Sequence, residues 1–203
     1  MYLNISDRHK CIFIHIPRAA GTSIKEALEL PGRGHLPWQY YYLVYPEQWD
    51  SYSKFTVVRN PWDRVVSAYN YAKMGKSYLD DNINPLAPHP DYELLSQKTF
   101  AECCEILKNR RILLKHEAWH PQYIWVVKTE NGNNSLVVDF VLRHERLDND
   151  FRVLCEKLQI NNINLPRVNP SKHENYRACY TEETKKIIEE LYSTDIRLFK
   201  YDF

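Results

Sequence analysis

The chain has 203 residues, enough for one ordinary domain and too few for two full ones. At 44% hydrophobic, 26% charged and a net charge of +1, its balance is that of a soluble globular protein and gives no bulk-charge support for nucleic-acid binding. A domain of this size removes roughly 70% of its unfolded surface from water, so no disulfide or metal staple is required.

The five cysteines are odd in number, two are adjacent (Cys103 and Cys104), and none forms a CxxC pair. That usage fits a reducing compartment better than a disulfide scaffold. The opening MYLNISDRHKCIFIHIP lacks a signal-peptide core, and no apolar run approaches the ~18 residues of a membrane span. A cytoplasmic protein without a membrane span is therefore expected.

In chain order, residues 10–16 (KCIFIHI) form a short apolar, β-branched run that stops at Pro17 and predicts a buried strand. Residues 22–30 place Ile24, Ala27 and Leu28 at helical spacing, with Thr22 or Ser23 as cap and Pro31-Gly32 as stop. Residues 54–59 (KFTVVR) predict a second buried strand. Asn60-Pro61 then caps a helix running into the mid-seventies. Residues 76–95 are polar and proline-bearing and read as an exposed loop or lid. Residues 98–109 and 147–159 predict helices, and 122–128 and 136–143 predict strands around the Asn-Gly turn of ENGNN. A C-terminal helical segment spans 181–200, opened by Thr181 with Glu182 and Glu183 in its first turn. Strand, tight loop, helix, then strand and helix again is the order of an α/β domain with a parallel sheet.

Two segments carry chemistry. In IHIPRAAGTS (14–23) a strand ends, the chain turns tightly and a helix begins at Gly21-Thr22-Ser23. Such a turn aims backbone N–H groups and a helix dipole at one point, which suits a phosphate or sulfate. Arg18 adds fixed positive charge. The Walker A pattern is absent, and an ordinary capped strand–turn–helix accounts for the motif equally well. In FTVVRNPWDRVVSAY (55–69), Arg59 ends the second strand, where open α/β sheets bind ligands, and Ser67 lies two turns into the next helix. Taken alone, that segment reads more readily as Arg59 and Arg64 paired with local carboxylates such as Asp63, beside a surface Ser67. Together they describe two anion sites at neighbouring strand ends, an arrangement suited to a nucleotide with phosphate on both its 5′ and 3′ positions.

IHIPRAAGTS resembles the 5′-phosphosulfate loop of the PAPS-dependent sulfotransferases, written HIPKTAGTS in the branch that includes heparan sulfate 2-O-sulfotransferase and short microbial enzymes. VVRNPWDRVVSAY resembles that branch's 3′-phosphate motif, with its arginine and serine eight positions apart, as Arg59 and Ser67 are. RHERLDNDFRVLCEKLQI and the C-terminal LPRVNPSKHENYRACYTEETKKIIEELYSTDIRLFKYDF resemble later parts of the family more weakly. The resemblance implies a single domain over residues 1–203, a P-loop-like sulfotransferase fold with a central, mainly parallel sheet flanked by helices, PAPS (3′-phosphoadenosine 5′-phosphosulfate) as donor, PAP as product, and no metal.

Residue by residue, the resemblance places Arg18 where the family has a lysine that contacts the phosphosulfate and stabilises the leaving oxygen. Arginine keeps the charge but not the shape of a lysine. Ala19, Ala20, Gly21, Thr22 and Ser23 supply the cradle, Arg59 and Ser67 the 3′-phosphate site, and Asn169, Ser171 and Lys172 a closing loop. His35, between the first helix and the second strand, falls where related enzymes carry the base that deprotonates the acceptor; by itself it reads as an exposed loop histidine. His15, inside an apolar strand, reads as a core histidine or a contact to the loop beside it.

A rival motif lies at 116–120. HEAWH matches H-E-x-x-H, which on a helix binds zinc through His116 and His120 with Glu117 as base. Pro121 opposes helical geometry at His120, and the only further ligands on offer, Asp139 and Glu145, stand away from metzincin spacing. A nucleotide-binding protein without catalysis is the third class, opened by Arg18 in place of lysine. The aromatic run PWQYYYLVYPEQW (37–49) follows His35 and suits a sugar or other flat acceptor, although most such rings belong to cores. The expected partner is a small-molecule or carbohydrate acceptor, not nucleic acid.

Overall fold

A computed structural model describes residues 3–32, 34–75, 88–109, 115–161, 163–166 and 175–203. The elements are β1 (Ile5–Ser6), β2 (Cys11–Ile14), α1 (Gly21–Ala27), α2 (Trp38–Val44), α3 (Pro46–Ser51), β3 (Ser53–Val58), α4 (Pro61–Ala72), α5 (Tyr92–Leu95), α6 (Phe100–Lys108), β4 (Val127–Glu130), β5 (Asn133–Leu136), β6 (Phe140–Arg143), α7 (Leu147–Lys157), α8 (Glu182–Leu191) and α9 (Ser193–Phe199). They group into two compact units, Met1–Arg59 with Gln122–Pro170, and Asn60–Pro121 with Ser171–Phe203.

The first unit is built on a sheet of order β1-β2-β3-β6, in which β1 is antiparallel to β2 and the other pairs are parallel. All four residues of β2 are buried, and Phe13 stacks on Phe55 of β3 with ring centroids 5.0 Å apart. Each such large apolar side chain contributes about 1.5–3 kcal/mol of burial, which explains why so short a strand is firmly placed. Thr56, also buried, satisfies its hydroxyl by donating to the Ile14 carbonyl at 2.8 Å. The sheet is mixed only at β1, so the α/β expectation with a mainly parallel sheet flanked by helices holds.

Two strand expectations need correction. Residues 122–125 form a 3-10 turn rather than the start of a strand, and the strand begins only at Val127. Its partner is Asn133–Leu136, with Asn131 and Gly132 both left-handed (φ 50° and 78°), the backbone a two-residue hairpin turn requires. The expected strand 136–143 is thus divided. The chain leaves the hairpin and joins the main sheet at β6, anchored where the Asp139 N–H donates to the Lys54 carbonyl (2.8 Å) and its carboxylate accepts from the Lys54 N–H (2.6 Å).

In the second unit α4 starts as expected: the Asn60 side chain caps it by accepting the Trp62 N–H, with Pro61 at the first helical position. Such a cap stabilises by about 1 kcal/mol. Trp62, Val65, Ala68 and Ala72 of α4 pack with Cys103 and Cys104 of α6 and Ile187 and Ile188 of α8. Thr99 and Thr181 form capping boxes at α6 and α8. The single C-terminal helical segment expected at 181–200 is two helices meeting at Tyr192, whose buried hydroxyl donates to the Trp119 carbonyl at 2.7 Å. Within the stretch expected to be a loop, residues 76–87 lie outside the described residues, and 92–95 form α5.

Candidate active site

The loop between β2 and α1 holds two left-handed non-glycine residues, Arg18 (φ 63°) and Ala20 (φ 60°). Each costs roughly 1–3 kcal/mol and persists because its surroundings fix it, a pattern that concentrates at functional sites. Left-handed residues alternating with ordinary ones turn backbone N–H groups toward one side, as anion-binding nests do. Ala20, not Thr22 or Ser23, is the cap residue of α1, and it makes no side-chain cap hydrogen bond. The hydroxyl-cap expectation is therefore wrong, because the tight left-handed turn brings the helix in one residue early, at Gly21. Thr22 is exposed and Ser23 buried.

Gly21 is demanded from inside. A Cβ there would fall 1.7 Å from Nε2 of His15, whose ring occupies that space. His15 is 6% exposed, and its ring centroid is 5.4 Å from that of Phe13 and 4.3 Å from that of His35. Burial foremost, then the neighbouring His35, Lys25 and Arg18, pushes its pKa well below the ordinary 6.5, so the ring is neutral near pH 7. His15 is thus both of the things expected of it, a core residue and a contact to the loop. It also brings the half-buried His35 to within one ring of that loop.

Arg59 follows β3, the parallel neighbour of β2, and is 3% exposed. Its Nη1 donates to the Arg18 carbonyl at 3.2 Å, joining the second motif's arginine to the first motif's loop. Its backbone is held by a residue not singled out as a site residue from the sequence, Gln122. The Gln122 Oε1 accepts the Arg59 N–H (2.9 Å), and its Nε2 donates to the Arg59 carbonyl (2.8 Å). The available signal was the family resemblance, whose branch often carries a histidine and a nearby glutamine here, matched by His116 and Gln122 without a role for either. Ser67 lies on α4 in the second unit and is 2% exposed, so it is no surface serine. Asn169, Ser171 and Lys172 lie outside the described residues.

The HEAWH segment does not form a zinc helix. Glu117–Trp119 is a 3-10 turn, and His116 Nδ1 is used as its cap, accepting the Ala118 N–H at 3.0 Å. The His120 carbonyl accepts from the buried Arg64 at 2.9 Å. Asp139, one of the distant ligands, is tied to Lys54 as described.

Arg18 and Arg59 place fixed positive charge after two adjacent parallel strands, at their carboxyl ends, which is where open α/β sheets bind ligands. The profile of the sulfotransferase family matches residues 1–202, and the chain belongs to that family of enzymes. No curated protein shows significant similarity to it. The family uses PAPS as donor and acts on small-molecule or carbohydrate acceptors. No helix among the described residues is long and apolar enough to cross a membrane.

Proposed function

We propose that this enzyme transfers the sulfuryl group of PAPS to a hydroxyl of a small-molecule or carbohydrate acceptor, in line, with His35 as base, on a P-loop-like domain spanning residues 1–203. The observation that carries the reading is the bond from Arg59 to the Arg18 carbonyl, which makes one cationic group of two motifs 41 residues apart. Two arginines, the amides of the α1 turn and the Ser23 hydroxyl form a donor-rich set, the chemistry a polyanion needs. When bound, PAPS supplies the sulfuryl group and leaves as PAP.

Arg18 and the amides of Ala19 through Ser23, with the Thr22 and Ser23 hydroxyls, hold the 5′ end, and Arg18 offsets negative charge on the leaving phosphate oxygen. Arg59 takes the 3′-phosphate, the role the motif also gives Ser67, and the family resemblance gives Asn169, Ser171 and Lys172 a part in binding the same group. His35 accepts the acceptor's hydroxyl proton as the new O–S bond forms. Positioning and electrostatics do most of the work, as in phosphoryl transfer. The cysteines, four buried and Cys179 exposed, are free thiols, which suits a reducing cytoplasm.

The test is turnover of PAPS to PAP over a panel of sugars and small hydroxylated acceptors. His35→Ala should lower turnover by about 10²–10⁴-fold while keeping PAP affinity. Turnover by His35→Ala at the wild-type rate would remove the base role.

A further inference from the structure

At Arg59 the sheet has run out. The β2–β3 ladder ends at Thr56 and the β3–β6 ladder at Val58, so the Arg59 N–H and carbonyl lie just past the last pair of each ladder. Buried backbone groups at such a place need hydrogen-bond partners from elsewhere. Gln122 replaces the missing strand with a single side chain. Its primary amide offers the same acceptor and donor a facing peptide would, and it meets both Arg59 groups at 2.9 and 2.8 Å. Gln122 is 0% exposed and opens the 3-10 turn directly after Pro121, so neither its backbone nor its side chain is loosely held. The other end of Arg59 is fixed by the Arg18 carbonyl. An arginine carries about 2 kcal/mol of rotamer entropy, and a site that fixes both its root and its tip removes that cost from ligand binding.

We propose that Gln122 is a positioning residue of the donor site, setting the Arg59 guanidinium for the 3′-phosphate through the two bonds of its amide to the Arg59 backbone. The assignment rests on the reading of Arg59 as the 3′-phosphate group. It separates Gln122 from a merely structural residue by one consequence. Gln122 acts through Arg59, which meets the 3′-phosphate directly and the 5′ end only through the Arg18 carbonyl, so its loss must cost a 3′-phosphorylated nucleotide more than one without that phosphate, and not only stability.

The experiment is calorimetric titration of the full chain with PAP and with ADP, which lacks the 3′-phosphate, for wild type, Gln122→Met and Gln122→Glu. Methionine has nearly the same shape and makes neither bond. Glutamate keeps the acceptor for the Arg59 N–H but turns a second acceptor toward the Arg59 carbonyl. Gln122→Met should lose about tenfold in PAP affinity, as for a buried hydrogen-bonded support of ordinary strength, with a clearly smaller loss of ADP affinity. Gln122→Glu should lose at least as much. A folded Gln122→Met that keeps the full PAP preference overturns the assignment, as does an equal loss for both nucleotides. If wild type itself shows no PAP preference, the 3′-phosphate reading of Arg59 falls and the assignment with it, an outcome distinct from the other two. A readout independent of variant folding is the Gln122 side-chain amide resonance in wild type. It should shift more on adding PAP than on adding ADP; a resonance unmoved by PAP overturns the proposal.

Discussion

The guanidinium of Arg59 donates to the carbonyl of Arg18 at 3.2 Å, and Arg18 is itself held in a left-handed conformation. A positive side chain from the end of β3 therefore props the backbone of the loop that follows β2. Strain in that loop, roughly 1–3 kcal/mol for each of Arg18 and Ala20, is offset in part by this bond. The arrangement ties the loop assigned to one end of the nucleotide to the arginine assigned to the other.

Gly21→Ala should destabilise the fold by about 1–3 kcal/mol or more, since the new methyl would overlap the His15 ring and that ring is packed between Phe13 and His35. In a His15→Ala background the space is vacated and the cost of Gly21→Ala should largely vanish. Urea denaturation of the four proteins of this cycle measures the coupling. Additive effects would mean that the glycine answers to something other than His15.

His15 also predicts a pH dependence of stability. Its folded pKa is depressed below 6.5, so below pH 6.5 the unfolded chain binds a proton that the folded chain refuses. Stability is fully present above that pH and falls as the pH drops beneath it, by at most about 1.4 kcal/mol per pH unit for one group. His9 is lowered by burial and by Arg8 and acts in the same direction. Melting temperatures between about pH 8 and pH 5 should fall more steeply for wild type than for His15→Gln. Parallel curves would show that His15 is not the group responsible.

The buried Asp91 accepts from the Lys115 N–H (2.6 Å), the His116 N–H (3.1 Å) and the Trp119 indole (2.9 Å), and so shapes the HEAWH turn. Asp91→Ala leaves three donors stranded and should cost roughly 3 kcal/mol or more in a denaturation experiment. A chelator should leave the melting temperature of wild type unchanged. A chelator-induced drop restored by zinc would return HEAWH to consideration as a metal site.

The sequence was most legible where local signals agreed with the fold. Cys11–Ile14, the Asn60-Pro61 helix start and the Thr181 cap each carry their reason within a few residues, and each was found. The errors lie where distant groups decide. Residues 122–125 are apolar enough for a strand, but Gln122 is used to complete the end of β3, and that bond spans 63 residues. The run 136–143 reads as one strand, yet Asp139 bonds to Lys54, 85 positions away, where the chain passes from hairpin to main sheet. Thr22 and Ser23 are good caps by type, but the left-handed Ala20 preempts them, and no propensity argues for alanine there. Of the site, Arg59 and the Arg18 loop were visible as motifs. Their mutual bond and the part of Gln122 were not, because both depend on where two parallel ladders stop.

The measurement that bears most directly on the whole account is calorimetric titration with PAP against ADP, with EDTA present, for wild type and Arg59→Ala. Wild type should bind PAP at least about tenfold more tightly than ADP, the scale of a charge-assisted contact to the 3′-phosphate that ADP lacks, and Arg59→Ala should erase the difference. Equal affinity for the two nucleotides, or a preference that survives Arg59→Ala, would contradict the 3′-phosphate site.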